Sequence, residues 1–197
     1  MEERDGVKTY HATSREDWRR WLAENQDKEK NLWLVIYRKQ SGIPSVYYDE
    51  AVDEAICFGW IDSKINKRDE VSFYQFFARR NPKSNWSKVN KEKVARLLAA
   101  GLIEEPGLKM IELAKQTGTW TALDGVEDAV IPPDLKAAFD QNPTAWAYFD
   151  AFPRSAKRGI LEWLLNAKRP ETREKRIREI VEKAEQNIRA LFESGNS

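Results

Sequence analysis

The sequence predicts an α+β protein: a small N-terminal β-sheet with packed helices over residues 1–80, then a mostly helical region over residues 81–197, joined in one compact unit. Three observations lead there. Up to about residue 80, short runs of β-branched and aromatic residues alternate with segments of helical period. From Asn81 onward the period is helical and stays so, with several segments opening at proline. The composition, 41% hydrophobic with 11% aromatic and 33% charged residues, supplies both a large core and a solvated exterior.

In order along the chain, Val7-Lys-Thr-Tyr-His-Ala12 alternates polar and apolar residues and reads as a strand. Ser14 then caps a helix carrying Trp18, Trp21 and Leu22 at helical spacing. Leu32-Trp-Leu-Val-Ile-Tyr37 is a β-rich run bounded by charges and predicts a central strand. After the loop from Lys39 to Pro44, Asp49 is expected to cap a helix with Ala51, Val52, Ala55 and Ile56 on one face, ended by Gly59. Residues 60–66 and 71–77 read as a hairpin. Helices are expected over residues 87–100, 106–116, 133–141, 143–151, 154–168 and 170–192. The last carries a stripe of Ile177, Ile180, Val181, Ala184, Ile188 and Leu191 opposite a charged face.

Several functional classes are disfavoured at once. A formal net charge of +1 gives the molecule no long-range pull on nucleic acid or anionic lipid, so any such binding needs a local patch. No segment approaches the roughly 20 apolar residues of a membrane span, and Met1-Glu-Glu-Arg-Asp does not open a secretory signal, so a cytoplasmic location is expected. Cys57, the single cysteine, reads as a small buried thiol. His11 is the single histidine and no Gly-x-Ser-x-Gly elbow accompanies it, which leaves little for a histidine-based triad. Metal-ligand spacing and phosphate-binding glycine loops are missing, so neither a metal nor a cofactor is predicted.

Two places carry more specific chemistry. Gly59-Trp60-Ile61-Asp62 falls where a helix ends and a strand begins, and period two puts Trp60, Asp62 and Lys64 on one strand face. An indole flanked by a carboxylate and an ammonium suits a small ligand, although Trp60 is as well explained by core packing and Asp62 by an ion pair. Downstream, Arg79, Arg80, Lys83, Lys88, Lys91, Lys93 and Arg96 are relieved by one acid, Glu92, with Trp86 just before a helix start at Ser87. A helix N-terminus with a hydroxyl cap and nearby guanidinium groups can hold an anion. The same residues also suit a nucleic-acid surface with Trp86 stacking on a base, or a solvated face with Ser87 as an ordinary cap.

Three segments carry a family resemblance. They are Tyr48-Asp-Glu-Ala-Val-Asp-Glu-Ala-Ile-Cys-Phe-Gly-Trp-Ile-Asp62, Arg80-Asn-Pro-Lys-Ser-Asn-Trp-Ser-Lys-Val-Asn90 and Ala167-Lys-Arg-Pro-Glu-Thr-Arg173. In this order they resemble the YdeI/OmpD-associated, or bacteriocin-protection, proteins over nearly the whole chain. The resemblance implies an α+β N-terminal region akin to YjbR/CyaY-like proteins, a helical C-terminal segment, and a link to an outer-membrane porin and to antimicrobial-peptide resistance. The chain departs from the pattern at Ala78-Arg79, where Thr-Pro is usual, at Phe76, where arginine is frequent, and at Ser63, where glycine is usual.

The leading expectation is therefore a stress- or resistance-associated protein that binds a small anionic ligand or a protein partner, through Trp60, Asp62, Lys64, Arg80, Trp86 and Ser87. An enzyme acting on a small anionic substrate is the first alternative. Nucleic-acid binding ranks last because the total charge is near neutral.

Overall fold

Strand β3, Asn31–Tyr37, is an almost unbroken apolar run because it is buried on both faces. In a computed structural model that describes residues 2–191, it occupies the middle of a five-stranded sheet of order β1-β2-β3-β5-β4. The other strands are β1 (Glu3–Arg4), β2 (Val7–His11), β4 (Trp60–Lys67) and β5 (Ser72–Arg79). β2 runs parallel to β3, and the β4/β5 hairpin pairs antiparallel with β5 against β3.

The helices of this unit are α1 (Arg15–Asn25), α2 (Tyr48–Cys57), α3 (Lys88–Ala99) and α4 (Glu105–Thr117). They supply Trp18, Leu22, Val52, Ile56, Leu97 and Ile111 to a core that also takes Leu32, Leu34, Ile36 and Phe77 from the sheet. On the opposite sheet face Trp33 meets Tyr74 and Phe76 edge-on, with the Arg4 guanidinium over Trp33 and Tyr74.

A second set of helices comprises α5 (Asp124–Glu127), α6 (Pro133–Asp140), α7 (Pro143–Ala151), α8 (Arg154–Leu165) and α9 (Pro170–Glu185). Its separate core holds Leu135, Phe139, Phe149, Ile160, Leu164 and Ile180. The chain divides accordingly into two compact units, residues 1–121 and 122–197. Secondary structure changes character after residue 80, whereas the cores divide at 121/122, because α3 and α4 bury Val94, Leu97, Ile111 and Ala114 with the sheet. Among the described residues no helix is long and apolar enough to cross a membrane.

Ser14 and Ser87 cap α1 and α3 as expected, each hydroxyl accepting a backbone N–H three residues on. Asp49 does not cap α2. The helix begins at Tyr48, and the Tyr47 N–H donates instead to the Glu50 carboxylate at 3.0 Å. The C-terminal stripe is also shorter than its pattern. Helix α9 stops at Glu185, Asn187 turns at φ 58°, and Ile188 and Leu191 are 37% and 45% exposed, while Phe192 lies outside the described residues.

Candidate functional site

The junction between α2 and β4 is built around Gly59. Its φ of +73° lies in the left-handed region, and a Cβ there would come within 3.0 Å of both the Met110 Cγ and the Pro106 carbonyl oxygen. Glycine thus lets the start of α4 press against the strand entry. Trp60 follows as the first residue of β4, opposite Arg79 at the end of β5, and the Arg80 N–H donates to the Gly59 carbonyl at 2.9 Å. Trp60 and Arg80 are brought together by this edge of the hairpin.

Arg80 is only 4% exposed. Its guanidinium lies 3.6 Å from the centroid of the Trp86 ring, and Nη2 donates to the Asn85 carbonyl at 2.6 Å. Trp86 is itself held by its N–H to the Thr119 carbonyl and by contact with Trp120. No carboxylate lies within ion-pair distance of Arg80 among the described residues. Its Nε and Nη1, and the Nε1 of Trp60, are buried without a protein acceptor. Burial pushes the Arg80 pKa down to about 10, against an opposing pull from Asp62.

Both side chains line a cavity of about 300 Å³, walled also by Phe58, Gly59, Pro106 and Met110. Two further cations at this cavity are engaged elsewhere: Lys109 pairs with Glu105 at 2.6 Å, and Arg79 Nε donates to the Glu29 carbonyl at 2.8 Å. Gln26 and the exposed Asp27 complete the lining, so the cavity combines a buried guanidinium and an indole with spare N–H donors, one exposed carboxylate and an apolar wall, a combination that suits an acceptor-rich anionic group.

The remaining candidates behave differently. Asp62 is half-buried, and its carboxylate accepts from the Tyr48 hydroxyl at 2.7 Å. Burial and that carboxylate hold the Tyr48 hydroxyl well above its ordinary pKa. Lys64 is exposed, and a one-residue register shift between Asp62 and Ile65 breaks the alternation that would align it with Trp60 and Asp62. Ser87 is occupied as the α3 cap. Trp86, 2% exposed, presents no free ring for a nucleobase, contrary to the stacking role read from its basic neighbours.

Those basic neighbours are partly committed as well. Asp53, buried on α2, is held by Arg96 at 2.8 Å and Lys93 at 3.1 Å. Glu54, 2% exposed, receives Arg15 at 2.6 Å and Arg19 at 2.7 Å, and Arg19 also bonds Glu104. Asp53 and Glu54 are therefore carboxylate partners of arginines from α1 and α3. Burial, with Glu54 nearby, pushes the Cys57 thiol up to about 11, which suits an inert core residue. His11 contributes its Nε2 to the Pro44 carbonyl at 2.9 Å and packs against Tyr37. Among the described residues no group of His, Cys, Asp and Glu is arranged to hold a metal ion.

The apolar wall from Phe58, Pro106 and Met110 was not anticipated from sequence. The one available signal was Gly59 next to Trp60, which marks a close approach without naming the approaching element.

The cavity, both candidate indoles and Arg80 fall within residues 10–110, which match the family model described as a domain of unknown function (DUF8412). The chain belongs to that family. A second model, for bacteriocin-protection, YdeI or OmpD-associated proteins, matches residues 128–187 within the helical unit. The YdeI/OmpD-associated assignment is thus carried by the helical unit, which contains only the third of the three motif segments, Ala167 to Arg173. The first two lie inside the DUF8412 match. No curated protein and no solved structure matches the chain.

In the YdeI/OmpD-associated segment, Arg173 holds Asp134 through two hydrogen bonds, Nε to Oδ2 at 2.5 Å and Nη2 to Oδ1 at 2.9 Å. Pro170 starts α9, and Arg173, close behind it on that helix, clamps Asp134 at the start of α6.

Proposed function

We propose that residues 1–121 form a receptor for a small anionic ligand, attached to a YdeI/OmpD-associated helical unit, and that the whole serves antimicrobial-peptide resistance by binding rather than by turnover. The observation that carries this reading is the set of buried, unaccepted donors on Arg80 and Trp60, two residues that line one cavity. Each buried donor left without a partner costs about 1–3 kcal/mol, and a buried guanidinium without a carboxylate costs more. A chain that keeps such a group where methionine or leucine would fill the space gains something from its charge, and an anion is the complementary object. The description of the family matching residues 128–187 supports the protective role.

The test is a thermal-shift screen of the full chain against phosphates, nucleotides and carboxylates. At least one anion class is expected to raise Tm in the wild type and to have no effect on Arg80→Met. Absence of any anion response would defeat the reading. Resistance to a bacteriocin, restored in a deletion strain by the wild type and not by Arg80→Met, tests the link to protection.

A further inference from the structure

The chemistry of the cavity narrows the anion further. Arg80 is the buried charge of the lining and has no carboxylate within ion-pair distance among the described residues; Arg79 and Lys109 line the cavity too, Lys109 paired with Glu105, and the exposed Asp27 adds a carboxylate. Three cations, Arg79, Arg80 and Lys109, against two carboxylates, Asp27 and Glu105, leave one positive charge in excess, which balances a monoanion. A phosphate dianion would remain half-compensated in a desolvated site.

The walls argue in the same direction. Phe58, Pro106 and Met110 present carbon to the space beside the donors. A compact inorganic ion would neutralise Arg80 and leave those surfaces wet, whereas an apolar substituent would cover them at about 25 cal/mol per Å². The Met110 thioether adapts to aromatic and aliphatic shapes alike. A cavity of about 300 Å³ has room for a body of several carbons beside the carboxylate.

We propose that the ligand is a monocarboxylate bearing an apolar body, its carboxylate received by the N–H groups of Arg80 and Trp60 and its body lying against Phe58, Pro106 and Met110. This rests on the anion-receptor reading and specifies its ligand class. Trp60 accordingly acts twice, as donor through Nε1 and as part of the apolar wall, and Gly59 keeps the wall close to the strand entry.

The experiment is isothermal titration of the full chain with benzoate and hexanoate, beside acetate, inorganic phosphate and the neutral benzamide. Benzoate or hexanoate is expected to bind at least tenfold more tightly than acetate or phosphate, with no saturable binding of benzamide. Arg80→Met should abolish carboxylate binding. Trp60→Phe, which keeps an aromatic ring but removes the Nε1 donor, should weaken it about fivefold and provides the readout if Arg80→Met does not fold. Phosphate or acetate binding as tightly as benzoate, lost in Arg80→Met, would overturn the monocarboxylate assignment and leave the anion receptor standing. Equal binding of benzamide and benzoate would overturn both. No binding of any of the five compounds would overturn the monocarboxylate assignment, and the anion receptor falls with it when the wider anion screen is also blank.

Discussion

Arg80 poses an energetic question that its neighbours answer only in part. The Trp86 face and the Asn85 carbonyl stabilise the guanidinium, yet two of its nitrogens find no acceptor. Burial depresses its pKa to about 10, so the folded state gives up that proton before the unfolded chain does. The cost of burying the cation is therefore constant below about pH 10 and is relieved only as pH rises above it. At neutral pH Arg80→Met is expected to stabilise the ligand-free protein by on the order of 1 kcal/mol. The expected rise in Tm is about 2–4 °C. A fall in Tm by calorimetry would instead make Arg80 a structural strut. Asp17 shows the opposite balance. Burial alone would raise its carboxyl, but the Thr13 N–H and the hydroxyls of Tyr10 and Thr13 outweigh that and hold it below the usual range. Its contribution is present above the ordinary aspartate pKa and is lost as pH falls through the lower folded value. Asp17→Asn should cost about 2 kcal/mol at pH 7 and flatten the acid limb of stability below about pH 4, measured by urea unfolding across pH.

At the scale of elements, what the sequence reveals depends on how far a residue's partner lies along the chain. Ser14 and Ser87 are legible as caps because the amide each hydroxyl accepts is three residues away, and β3 is legible because a run buried on two faces needs no knowledge of its neighbours. Glu54 is not, because Arg15 and Arg19 stand 39 and 35 residues away and only the α1/α2 contact unites them. The shift in β4 is equally hidden: period two applies to residues 60–62, then the register changes and Lys64 no longer follows from Trp60. Trp86 misleads for a related reason, since surrounding lysines suggest an exposed ring while Arg80 and Trp120 enclose it. The Glu54 network gives a prediction at this scale. Glu54→Ala leaves two arginines facing each other without their shared carboxylate, and should destabilise by about 3 kcal/mol, the low end for a broken buried pair because both arginines remain partly exposed. Chemical denaturation should show the loss, and Arg19→Met placed on Glu54→Ala should cost much less than on the wild type.

For the whole molecule, the two separate cores lead to a testable division of labour. The sheet unit contains Arg80, Trp60 and their cavity within residues 1–121, and the helical unit contains the Asp134–Arg173 clamp within residues 122–197. Each unit has its own buried cluster of large side chains, the condition for folding without the other. A fragment of residues 1–121 is therefore expected to unfold cooperatively on heating and to keep the Arg80-dependent shift with benzoate. The clamp gives an independent signal: Arg173 holds the Asp134 carboxyl below its usual range, so its stabilisation is present at neutral pH and disappears as acid protonates Asp134 in the fold. Asp134→Asn should thus lower the stability of the helical fragment at pH 7 and reduce its acid sensitivity, while leaving the benzoate response of the full chain unchanged. If Asp134→Asn abolished that response, recognition would depend on the helical unit, and the division into a receptor and a separate YdeI/OmpD-associated segment would fail.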